Sequence, residues 1–150
     1  MANTYTCLFY HVVFSTKNRE SWIAQEYESR IWDFLGGIAK QNDVVPVKIG
    51  GTENHVHLVL RIPPTLAISG VVKLIKGGSS KWIHETFPKL SGFGWQDGYG
   101  AFTVSKSKVP ELVEYVTGQR EHHRTRTFQE EYRALLEKHE IEYDERYVWG

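Results

Sequence analysis

Apolar and polar positions alternate along this chain with two different periods. In residues 25–41, QEYESRIWDFLGGIAKQ, the side chains Tyr27, Ile31, Phe34, Leu35 and Ile38 recur at three-and-four spacing, which predicts an amphipathic helix. Residues 4–15 are apolar, aromatic and β-branched and read as a buried first strand. VVPVKIGG reads as a short strand, with Pro46 pointing to a sheet edge and Gly50-Gly51 to a turn. HVHLVLRI is a strand stopped by Pro63-Pro64, and residues 65–87 predict helix, a break at KGGSSK, and helix again. SGFGWQDGYG is loop and AFTVS a fourth strand. Pro110 suits the first turn of a helix over about 108–122, and a last helix is expected over about 127–138.

This order, strand–helix–strand–strand–helix–strand, predicts an α+β, ferredoxin-like (βαββαβ) antiparallel sheet. Helices would cover one face and leave the other open, with the first and third strands side by side in the middle. Repeats, low-complexity tracts and linkers are absent, so residues 1–150 read as one domain.

Alternation then sorts the third strand into two rows. Val56, Leu58, Leu60 and Ile62 must face the helices, whereas His55, His57, Val59 and Arg61 fall on the open face. Imidazoles at i and i+2 on one face are close enough to share a cation. A third ligand is available on the helix PELVEYVTGQREHH, where Tyr115 and Gln119 are neighbours one turn apart beside the apolar stripe Val109, Leu112, Val113 and Val116. Two imidazoles and an amide oxygen suit Mg²⁺ or Mn²⁺, with positions left for phosphate oxygens. A phenol is a poor nucleophile until a cation stabilises the phenolate and neutralises the phosphodiester. From these residues alone, solvent-facing histidines, a packing tyrosine and a surface glutamine stand as alternatives. Gly118 either admits a close backbone or marks a joint in the helix.

Charge modifies the picture. The net charge is zero, but residues 1–110 hold 12 Lys/Arg against 8 Asp/Glu and residues 111–150 hold 6 against 10. An acidic tail can therefore mask a basic working surface, or simply be solvated. A membrane span is excluded by the lack of a long apolar run. The N-terminus lacks the basic start of a signal peptide, and the single cysteine, Cys7, falls in the first strand and reads as core, so a cytoplasmic location is expected.

Other residues carry weaker expectations. Lys73, Lys76 and Lys81, with amides at Gly77 and Gly78, suggest a phosphate cradle without P-loop spacing. His11 falls beside the histidine strand, as a satisfied core residue, a group behind the ligands or a DNA contact. His122 and His123 diverge on a helix and read as a solvated helix end. Trp95, Tyr99 and Phe102 suit either base stacking or packing.

With these residues in hand, the chain resembles the HUH single-tyrosine transposases of small bacterial and archaeal insertion sequences, whose relatives include the REP-associated tyrosine transposases. YHVVFSTKNR resembles the family's first strand, NHVHLVLRIPP its metal strand, GWQDGYGAFTVS the segment before its catalytic helix, YVTGQREHH that helix, and IEYDERYVW the usual tail. The resemblance implies His55, His57 and Gln119 as ligands of a divalent metal and Tyr115 as nucleophile. It further implies single-stranded DNA hairpins as substrate, a free 3′-OH and a 5′-phosphotyrosine as products of cleavage, and a homodimer. Active sites in such dimers can be shared between subunits, with Gly98–Gly100 and the stretch before Ser105 as hinge. The short C-terminal region favours the insertion-sequence branch. The rivals are a domesticated hairpin-binding protein that no longer cleaves and a hydrolytic phosphodiesterase that needs no tyrosine.

Overall fold

The computed structural model describes residues 3–150. Four antiparallel strands, β1 (Phe9–Ser15), β2 (Val45–Thr52), β3 (His55–Arg61) and β4 (Gly100–Val104), form one sheet in the order β2-β3-β1-β4. The first and third strands are central, as the ferredoxin-like order requires. Pro46 lies on the edge strand β2, where the pairing with β3 slips by one residue between Pro46 and Lys48. A proline has no N–H to give to a ladder, so an edge is where it is tolerated.

One face is covered by α1 (Gln25–Gln41) and α2 (Ile68–Thr86). Val12 and Phe14 of β1 meet Val56, Leu58 and Leu60 of β3 there, against Ile31 and Leu35 of α1 and Val72, Ile75 and Ile83 of α2. Each such buried aliphatic side chain contributes about 1.5–3 kcal/mol by leaving water.

The second face is not open. Helices α3 (Val109–Thr117), α4 (Gln119–His122) and α5 (Phe128–Lys138) cover it. They make two separate apolar clusters: Phe9, Val59, Val109 and Val116 under α3, and Val13, Phe102, Phe128, Tyr132 and Leu136 under α5. The expectation of an open face fails because the C-terminal helices carry apolar stripes that have nowhere else to bury.

Three further expectations are corrected. KGGSSK does not break the helix: α2 runs through it, and Gly78 lets α1 approach, since a Cβ there would lie 3.0 Å from Ile38 Cδ1. β1 begins at Phe9 rather than residue 4, so Cys7 precedes it and is exposed rather than core. The 108–122 helix is jointed at Gly118 (φ −90°, ψ 20°) into α3 and α4. Among the described residues no helix is long and apolar enough to cross a membrane.

Candidate metal and tyrosine site

Strand register brings the site together. In the β1–β3 pairing Ser15 lies opposite His55, Val13 opposite His57 and His11 opposite Val59, so His11, His55 and His57 all face the second layer. That layer buries His55 and His57 completely, at 0% exposure, with Gln119 and Glu131 at 1%. The solvent-facing alternative for the two histidines is thereby excluded.

The helix joint leaves the tyrosine and glutamine together. The Gly118 N–H donates to the Glu114 carbonyl at 3.0 Å, so the chain keeps its helical course, and Gln119 Nε2 lies 3.4 Å from the Tyr115 carbonyl. Gly50 sets the depth of this helix. A Cβ there would lie 2.9 Å from the Val116 carbonyl oxygen, so only glycine lets α3 settle onto β2 beside the histidine strand.

Glu131 of α5 is the centre of the cluster, and it is the residue that pattern reading missed. Its Oε1 accepts from His57 Nε2 at 3.0 Å and His123 Nε2 at 3.1 Å and lies 3.5 Å from His55 Nε2. Its Oε2 accepts from Gln119 Nε2 at 3.2 Å and from the Tyr115 hydroxyl. The signal was present. Phe128, Tyr132, Leu135 and Leu136 form the stripe of α5, and position 131 falls inside it, three residues after Phe128 and four before Leu135. A carboxylate on an apolar stripe has to be paired to be buried. Neighbouring Glu130 closes the helix's capping box with Thr127, which masks the different duty of Glu131.

His123 is the second missed residue: it is half-buried against Glu131, not solvated. His122 is exposed, and its ring lies 4.8 Å from that of Tyr115.

The ring nitrogens are assigned by their partners. His55 Nδ1 lies 2.9 Å from both Asn54 Oδ1 and Thr52 Oγ1, so its proton sits on that side. His55 Nε2 then faces Gln119 Oε1 at 2.9 Å, lone pair to lone pair, because Gln119 Nε2 is committed to Glu131. Two acceptors converging without a proton between them are relieved by a cation. His57 Nδ1 is held by His11 Nε2 at 2.7 Å, which aims His57 Nε2 at the same spot, where a bound cation would replace the proton shared with Glu131. His55, His57 and Glu131 each offer one ligand atom, all within 4.8 Å of one another. The spacings of 2.9 Å (His55–Gln119) and 3.0 Å (His57–Glu131) match adjacent corners of an octahedron. Such corners are ~3 Å apart for the ~2.1 Å bonds of Mg²⁺. The nitrogen and oxygen donors therefore fit a divalent cation, and the outer partners Asn54, Thr52 and His11 hold the rings in place.

Electrostatics agree with a site built for positive charge. Burial lowers His55 and His11 to about 3, so both stay neutral, which leaves His55 able to ligate. Burial opposes ionisation of Glu131, but hydrogen bonds from His123 and His57 win and hold its carboxyl far below the usual range. Burial and the neighbouring Glu131 charge push the Tyr115 phenol well above its ordinary value. Without a cation, Tyr115 keeps its proton.

The lysines lie elsewhere. Lys73 and Lys81 are exposed on α2, across the sheet from the histidines. The Lys76 ammonium donates to the carbonyls of Gln96, Asp97 and Gly98 at 2.5–3.1 Å, and burial lowers it to about 8. The Gly77 and Gly78 amides lie inside a continuous helix, where its own carbonyls take them up. Trp95 and Phe102 are buried packing residues, and Tyr99 is half-buried. At the start of the Gly98–Gly100 stretch, Gly98 N–H and the neighbouring Gln96 Nε2 both donate to the Gly150 carbonyl, at 3.0 and 2.9 Å. Tyr115 meets the histidines of its own chain.

A histidine pair on the central strand β3 lies beneath a tyrosine–glutamine helix, and comparison with known proteins names the family. Residues 4–119 match the model of the IS200-like transposases, and the chain belongs to that family. It is 30% identical over 117 residues to the ISDra2 transposase TnpA of Deinococcus radiodurans, covering 75% of this chain and 84% of that one. It is 27% identical over 117 residues to the transposase for insertion sequence element IS200 of Salmonella typhimurium, covering 75% and 76%. Among solved structures, a protein of Deinococcus radiodurans R1 assigned as a transposase superposes with a TM-score of 0.67 at 29% identity, over 79% of this chain and 95% of that one. A REP-associated tyrosine transposase bound to a REP hairpin gives 0.61 at 13% identity, over 82% and 73%, a likeness of fold. Glu131 lies beyond the segment that the family model matches.

Proposed function

We propose that this IS200-like transposase is a metal-dependent enzyme that cleaves and rejoins single-stranded DNA at hairpin-bearing element ends through Tyr115. The observation that carries the proposal is that Tyr115, Gln119 and His57 all meet one buried carboxylate, Glu131. A nucleophile and a cation site are thus joined by a single group.

His55, His57, Gln119 and Glu131 hold the cation, Mg²⁺ or Mn²⁺. The cation, when bound, polarises the scissile phosphate and offsets its charge. The phenolic oxygen of Tyr115 bonds to phosphorus while the bond to the 3′ oxygen breaks. That oxygen leaves as a 3′-OH after taking a proton, and the 5′ phosphate remains on the tyrosine. Glu131 already accepts the hydrogen bond of the phenol and is the nearest acceptor for its proton. Because the ester is stored rather than hydrolysed, a second 3′-OH can reverse the step, which makes rejoining possible without ATP. The hairpin substrate is supported by the hairpin bound to the REP-associated relative. The homodimer implied by the family remains part of the proposal; here Tyr115 reaches the site of its own chain.

Labelled hairpin-bearing strands, incubated with protein and Mn²⁺ and run on a denaturing protein gel, test this. Wild type should acquire a metal-dependent label that Tyr115→Phe and His57→Ala abolish. Cleavage retained by Tyr115→Phe would indicate a hydrolytic phosphodiesterase, and retarded but never linked DNA a binding module.

A further inference from the structure

The second layer has a gap. Between the apolar cluster under α3 and the one under α5 lies a cavity of about 620 Å³. Tyr115, Glu131 and His11 line it, the last two buried. Its sides are Leu112 of α3 and Ala134 and Leu135 of α5, and Phe102 and His139, stacked on each other at 4.5 Å, also line it. The leucines stay half-buried because nothing in the chain fills the space between the helices. Its cations, Lys108 and Arg126, with Lys138 on α5, are exposed, and Glu111 is the one acid beside Glu131 among its lining residues.

Resting on the function proposed above, we infer that this cavity takes the unpaired nucleotide next to the scissile phosphate, its base between Leu112 and Leu135 and its phosphates against Lys108, Arg126 and Lys138. The volume falls in the ordinary range of small-ligand pockets, about 300–1,000 Å³. It holds one nucleotide with its flanking phosphates, but not a base pair with both backbones. Apolar and aromatic walls bounded by cations are how sequence-tolerant single-strand sites hold a base. The position explains a second feature. A base seated there places its adjoining phosphate at the wall that carries Tyr115, so the cavity aligns the strand for attack. α5 provides much of the wall and lies outside the segment common to the family model, so this subsite is supplied by the C-terminal region of the chain.

The test uses the trinucleotide dT-(2-aminopurine)-dT, and the same trinucleotide abasic at its centre, with Tyr115→Phe protein so that binding is read without cleavage. Fluorescence of the central base should be quenched on binding, and the abasic strand should bind about tenfold more weakly. Ala134→Phe, which fills the cavity from α5, should remove the quenching while Mn²⁺ affinity is kept. Arg126→Glu with Lys138→Glu should weaken binding and flatten its salt dependence. Quenching that persists in Ala134→Phe, or equal binding of the abasic strand, overturns the cavity assignment, even if wild type forms the covalent adduct. Quenching lost in Ala134→Phe from a protein whose wild type never forms an adduct sustains the cavity and overturns the cleavage reading instead.

Discussion

At the scale of single residues, the account turns on Glu131. It is almost wholly buried and bonded to His57, His123, Gln119 and Tyr115. Glu131→Gln keeps the shape, removes the charge and leaves one fewer anionic ligand. Mn²⁺ affinity, read by titration calorimetry, should fall about 10–100-fold, the usual cost of disturbing a ligand or its support. Asn54→Ala should fall toward the lower end of that range although Asn54 touches no cation, because His55 Nδ1 loses one of its two partners and keeps only Thr52. Unchanged affinity in both would mean that the cation, if one binds, sits elsewhere. Alternation on a strand and one-turn spacing on a helix, which are local rules, pair His55 with His57 and Tyr115 with Gln119 as candidates, and the family resemblance singles them out. Glu131 and His123 were not legible, because their partners lie 74 and 8 residues away in sequence. Only tertiary packing brings α5 over the strand. The clue that could have been followed was a carboxylate inside the stripe of α5.

Elements explain why the site holds together. α3 rests on β2 because Gly50 offers no side chain, and a Cβ would strike the Val116 carbonyl, a backbone atom that cannot rotate away. Gly50→Ala should therefore lower stability by about 1–3 kcal/mol, the ordinary cost of overpacking, and loosen Tyr115 with it. Chemical denaturation would measure the first effect and adduct yield the second. Gly118→Ala should behave in the opposite way. A Cβ there meets its nearest neighbour, His122 Nε2, at 3.5 Å, and the backbone angles are open to alanine. Stability should rise by about 0.4–1 kcal/mol through the unfolded chain. A loss would show that the joint needs glycine in its own right. At this scale the helix over 25–41 followed from periodicity, the central pair of strands from the ferredoxin-like order of elements, and the β2 edge from Pro46. The continuous α2 did not, because KGGSSK has the composition of a loop. It is held helical by packing, with Ser79 donating back to the Ile75 carbonyl and accepting from Trp95 Nε1. Propensity yields there to tertiary contact.

The whole molecule carries the consequences of burying polar groups in its second layer. His11 and His55 drop from 6.5 to about 3 through burial. An unfolded chain takes up protons on them as pH falls below about 6.5, while the fold refuses them until about pH 3, so acid favours unfolding over that window. Glu131 acts in the same direction: its stabilisation is complete above its ordinary value of 4.5 and is lost as pH falls below it. Metal-free protein should therefore melt at a lower temperature at pH 5 than at pH 7.5. A midpoint that does not move would mean that these histidines are not buried neutral. Lys108, Arg126 and Lys138 about the cavity also predict single-strand binding that weakens steeply with salt. The most direct measurement is mass spectrometry of the protein after reaction with a hairpin-bearing strand and Mn²⁺, followed by nuclease and trypsin. The account predicts a nucleotide phosphate on the peptide spanning residues 109–120, placed on Tyr115 and absent when metal is withheld. An adduct on another residue, or cleaved DNA with that peptide unmodified, would contradict it.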